Sequence, residues 1–113
     1  MNKQEIINTV YSHLKTQGEP AHDTYGMCSY RTASGLKCAI GCLIPNDLYN
    51  ISIETKRVSS LYKNGFLQRI FPGITEEDVE FLDKLQIIHD NFFDQLDSKI
   101  QNLCSEYNLE FPS

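Results

Sequence analysis

The chain has 113 residues, 41% of them hydrophobic and 22% charged, with a net charge of −5. That composition belongs to an ordinary globular chain and argues against disorder, collagen-like repeats and low-complexity tracts. The length fits one compact domain, residues 1–113. No uncharged apolar run approaches the roughly 18 residues of a membrane span, and no secretory leader follows Met1, so the expectation is a cytoplasmic protein without membrane contact. Four irregularly spaced cysteines then suit reduced thiols better than a disulfide framework.

The charge is uneven. Residues 1–74 carry eight Lys/Arg against five Asp/Glu, whereas residues 75–113 carry two against ten. An acidic C-terminal third disfavours a phosphate backbone, because nucleic-acid affinity rests on Lys/Arg contacts and counterion release. The same surface suits either plain solvation or a basic patch on another protein.

In chain order, Ile6, Ile7, Val10, Tyr11 and Leu14 form the apolar stripe of an amphipathic helix. Asn2, with Glu5 three residues on, caps its start, and Gly18 and Pro20 stop it. Residues 19–26 read as a mobile connecting loop carrying His22 and Asp23. Cys28-Ser29-Tyr30-Arg31 and Leu36-Lys37-Cys38 flank Thr32-Ala33-Ser34-Gly35, a pattern that predicts a short β-hairpin. The apolar run from Cys38 to Ile44, ended by Pro45, has small residues at Ala39 and Gly41 that allow close backbone approach. Its conformation stays open between helical and extended.

Asn46 to Tyr49 reads as a helical turn. Residues 50–64 show no period and are expected to be loop, with one short helix at Gly65 to Phe71. Thr75-Glu76-Glu77-Asp78 is a capping-box pattern, with Ile74 positioned to staple onto Val79. Phe81, Leu82, Leu85, Ile88, Phe92 and Phe93 then share one arc, with His89 in its middle. After a break near residues 91–94, Leu96, Ile100, Leu103, Cys104 and Tyr107 mark a last helix, antiparallel to the one before. The predicted fold is α+β but mainly α: an N-terminal helix, a short β-hairpin and two antiparallel C-terminal helices. Its core holds Ile6, Val10, Leu14, Leu36, Ile40, Leu43, Leu82, Leu85, Ile88, Leu96, Ile100 and Leu103.

Three stretches carry a resemblance: Cys28-Ser29-Tyr30-Arg31; the run Gly35-Leu36-Lys37-Cys38-Ala39-Ile40-Gly41-Cys42-Leu43-Ile44-Pro45; and Leu85-Gln86-Ile87-Ile88-His89-Asp90. In this order they are similar to a family of small, uncharacterised phage and prophage proteins, and the likeness spans nearly the whole chain. It implies a viral or prophage origin and this architecture, without supplying an activity. The acidic residue that the family pattern places directly after Pro45 is displaced here to Asp47.

Four constellations bear chemistry. Cys28, Cys38, Cys42 and His89 offer the thiolates and imidazole that zinc prefers, although no C-x-x-C pair is present and free cysteines are common in ordinary cores. Cys38 or Cys42 with His89 as base would make a nucleophilic pair. A lone histidine in an apolar stripe also fits a structural role, its nitrogens bonded to a backbone carbonyl and a hydroxyl such as that of Tyr30. Tyr30, Arg31 and Lys37 suit a phosphate or nucleotide, but equally a solvated sheet edge.

Finally, Tyr25, Tyr49, Tyr62 and Phe66 lie in irregular regions as anchors for a protein partner, or as cover for a small core. The functional expectation is a non-catalytic accessory protein of a phage or prophage. It would bind a host protein, such as a defence component, with no nucleic acid and no cofactor. The rival is a ligand-binding or cysteine-dependent enzyme centred on Cys38, Arg31 and His89.

Overall fold

The structure, a computed structural model, describes residues 1–23 and 25–112. Its regular structure is helical, with five α-helices among the described residues: α1 (Lys3–Gln17), α2 (Val58–Lys63), α3 (Phe66–Ile70), α4 (Glu76–Asn91) and α5 (Leu96–Tyr107). Single 3₁₀ turns lie at Gly41–Leu43, Ile51–Ile53 and Phe93–Gln95. None of the helices is long and apolar enough to cross a membrane.

The long helices begin where their caps place them. Asn2 accepts from the Glu5 N–H while the Glu5 carboxylate takes the Asn2 N–H, and Thr75 and Asp78 repeat the arrangement at α4. Each such cap stabilises its helix by about 1 kcal/mol. Gly18 ends α1 in the left-handed conformation at φ 76°. Helices α4 and α5 run antiparallel. Lys84 bonds Glu106 and Phe81 meets Tyr107 edge-on at 4.9 Å, while Lys99 lies 4.4 Å over Phe92 near the connecting turn. Helix α1 is tied across them by Lys3 to Asp78 at 2.9 Å and by the Tyr11 hydroxyl to Asp97 at 2.8 Å.

The predicted β-hairpin does not form, and among the described residues there is no strand. Arg31 and Lys37 make one isolated bridge, and His22 and Cys28 another. The ladder stops because the Glu54 carboxylate takes the Tyr30 N–H, the donor that would have answered the Cys38 N–H bond to the Tyr30 carbonyl, while the outward-facing groups of Arg31 and Lys37 are taken by side chains. Gln17 accepts from the Lys37 N–H at 2.9 Å, Gln17 and His13 donate to the Lys37 carbonyl, and the Glu54 carboxylate accepts the Tyr30 and Arg31 N–H groups at 2.9 and 3.1 Å. The fold is therefore helical with an irregular insert, not α+β.

Two further expectations change. Residues 50–64 are not all loop: Val58, Leu61 and Ile53 are buried there, and α2 packs on α4. In the loop at 19–26, of which residue 24 lies outside the described residues, the Asp23 carboxylate accepts from the Tyr25 and Met27 N–H groups and the Asp23 N–H donates to the Met27 carbonyl. The predicted core residues are buried except Leu36, which is half-buried against them. Phe81, Leu61, Leu67 and Val58 complete the core, each contributing roughly 1.5–3 kcal/mol by its burial.

Candidate functional site

The three motif stretches meet on one side of α4. The run from Cys38 to Ile44 is a tight 3₁₀ bend, and its Ile40 N–H donates to the Gln86 side chain on α4 at 3.2 Å. Gly41 lies so close to the Tyr30 backbone that a Cβ there would fall 1.8 Å from the Tyr30 carbonyl oxygen. Glycine is required for this approach.

Tyr30 is buried and its hydroxyl donates to the Lys56 carbonyl, which pins segment 54–57 beneath it. Arg31 donates to the Ile44 carbonyl and, at 2.9 Å, to Asn46 Oδ1, with its guanidinium 4.8 Å from the Tyr49 ring centroid. Asn46, directly after Pro45, thus supplies an acceptor to Arg31. Tyr49 in turn donates to Glu54 at 2.7 Å, and burial with this contact pushes its phenol up to about 12. Glu54 therefore holds two backbone N–H groups and one phenol, a role that the sequence does not reveal. The Lys37 backbone belongs to the α1 contacts above, so Tyr30, Arg31 and Lys37 adjoin one another but anchor three different neighbours.

His89 is fully buried at the centre of this junction. Its Nε2 accepts from the Ala21 N–H at 2.8 Å, and its Nδ1 faces Asp90 Oδ1 at 2.7 Å. A nitrogen that accepts from an N–H carries no proton, so the proton sits on Nδ1 and is donated to Asp90. The expected partners were a carbonyl and the Tyr30 hydroxyl; instead a backbone N–H and the adjacent carboxylate satisfy the ring. Gln86 also donates to Asp90 Oδ1, at 2.9 Å.

Among the described residues, one group of potential metal ligands comes together: Cys28, His89 and Asp90, with donor atoms within 4.8 Å of one another. Only Nδ1 of His89 faces the group, and it carries the proton bound to Asp90, so a cation there would have to displace that proton. Cys38 and Cys42 lie outside the group. The Cys38 thiol accepts from the Gly41 N–H at 3.2 Å, and the Cys42 thiol donates to the Ala39 carbonyl at 3.1 Å. Burial pushes both thiols up to about 12, and desolvation with the Asp90 charge raises Cys28 to about 11. With these raised values the three thiols hold their protons at neutral pH and lack the thiolate that a nucleophile requires.

Beside this node opens a cleft of about 380 Å³. One wall is the α4 face Asp83, Gln86, Ile87 and Asp90, residues spaced at three, four and seven. The facing wall is the segment from Glu54 to Ser59, and Cys28 to Tyr30 close the back. Thr55, on that wall, has φ 69°, an uncommon backbone state for a β-branched residue. Of the four aromatic candidates, Phe66 is buried, and Tyr49 and Tyr62 pack on the core. Only Tyr25 points to solvent, 89% exposed, with Met27 beside it at 66%. Compared with known proteins, the chain matches no family model, no curated protein and no solved structure.

Proposed function

We propose that this chain is a small non-catalytic accessory protein of phage or prophage type, acting in a bacterial cell by binding a host protein, with a defence component as the favoured class of target. One observation supports the reading most directly. The His89 ring, the Tyr30 hydroxyl and the Arg31 terminal nitrogens make their hydrogen bonds inside the fold, whereas the Asp23 carboxylate braces a segment that offers Tyr25 and Met27 to solvent. Large apolar side chains on a pre-organised turn cost little ordering entropy on binding, and aromatic anchors of this kind dominate interface energetics. The acidic C-terminal third adds long-range attraction toward a basic partner surface.

The test is affinity capture from host lysate with tagged wild-type protein, the Tyr25→Ser/Met27→Ser variant and a Cys28→Ser variant. The reading predicts a near-stoichiometric host protein retained by wild type and Cys28→Ser and lost by the turn variant. Equal capture by all three would remove the turn from the interface. No captured protein would overturn the reading.

A further inference from the structure

The cleft holds opposite charges that do not meet. Asp83 and Asp90 stand on the α4 wall, while Lys56 and Arg57 stand on the facing segment. Among the described residues, no ion pair within 4.0 Å joins the two walls, and the side chains of Lys56, Arg57 and Asp83 have no hydrogen-bond partner. Glu54 stands on the same segment as Lys56 and Arg57; its carboxylate oxygens are turned toward the Tyr30 and Arg31 N–H groups and the Tyr49 hydroxyl, and its charge leaves that wall with one net positive charge.

The negative wall is also fixed in place. Asp90 Oδ1 receives the His89 and Gln86 donors, which orients the carboxylate and keeps Oδ2 clear of both. The positive wall is held by the Tyr30 hydroxyl on the Lys56 carbonyl and by the burial of Val58. Ile87, 43% exposed, supplies an apolar surface between the charges. The motif residues thus set the separation of two oppositely charged walls. Such a gap rejects a dianion at one side and a dication at the other, and a neutral molecule leaves both walls to water.

We propose that this cleft binds a small zwitterion of the size of a free amino acid or dipeptide. The ammonium group faces Asp83 and Asp90, the carboxylate faces Lys56 and Arg57, and aliphatic atoms lie on Ile87. A cleft of about 380 Å³ accommodates such a molecule and falls within the usual range of small-ligand sites. The proposal is independent of the Tyr25 turn, so it survives or fails separately from the host-protein reading.

The test is a chemical-shift titration of the ¹⁵N-labelled protein with each of the twenty free L-amino acids and glycylglycine, up to about 10 mM, a range suited to a weak small ligand. Expected is saturable movement of amides in segments 28–30, 54–59 and 83–90 by at least one of them. N-acetylation or C-amidation of that ligand should weaken it at least tenfold, as should the surface changes Arg57→Ala and Asp83→Asn, which leave the packed core untouched. The inference is overturned if no probe saturates, if the moving amides lie elsewhere, or if the capped ligand binds as well as the free one.

Discussion

The helical region of residues 76–107 and the irregular region of residues 19–57 share one apolar core but differ in how their backbone polar groups are satisfied. In the first, burial is distributed: Phe81, Leu82, Leu85, Ile100 and Leu103 share one continuous seam, and each loss removes one increment. In the second, single side chains act as posts. Glu54, Arg31, Tyr30 and His89 each satisfy backbone groups far away in sequence, and no regular ladder stands in reserve. Loss of a post strands a buried polar group, which costs the full desolvation penalty instead of a fraction of a seam. A small domain can therefore keep chemically suggestive side chains for structural ends.

The largest expected effect follows from the closest approach in the irregular region. Gly41→Ala forces Cβ against the Tyr30 carbonyl, a backbone atom with no freedom to yield, and should cost about 3 kcal/mol or more in urea unfolding. The exposed α5 change Gln101→Ala should stay within about 0.5 kcal/mol. Similar losses at both positions would break the contrast between the two regions.

Among the described residues, two non-glycine residues with positive φ sharpen it further. Asn108 closes α5 at φ 58°, a position that asparagine tolerates, whereas Thr55 is β-branched and sits at φ 69° on the cleft wall. Thr55→Gly should stabilise the protein by up to about 1 kcal/mol, and Asn108→Gly should change it by less than about 0.5 kcal/mol, both read as shifts in the urea midpoint. A destabilising Thr55→Gly would mean that the threonine side chain makes a contact worth more than its backbone strain.

The same contrast explains what the amino-acid pattern revealed. Helices α1, α4 and α5 were legible because apolar spacing and capping residues are local signals. The six-residue α2 was not, since it is too short to display a period. The hairpin expectation failed because residues 31 and 37 do pair once, but the Tyr30 N–H that the next rung needs goes to Glu54, 24 residues away.

His89 was recognised as buried, yet its partners were not. Helical-wheel spacing points Asp90 about 100° away, but Nδ1 lies close to the backbone, where a neighbouring carboxylate can reach it. The Ala21 N–H comes from 68 residues away and leaves no mark in the pattern. The cleft was equally hidden, because its two charged walls are 24 or more residues apart in the chain.

Native-state hydrogen exchange of the wild-type protein tests most directly whether the motif side chains fasten the irregular region to α4. The decisive amides are Ala21 and Ile40, whose acceptors are the side chains of His89 and Gln86 on that helix. The account predicts that both exchange as slowly as the central amides of α4, through the same large opening. Exchange of Ala21 and Ile40 near the unprotected rate, with α4 still protected, would contradict it.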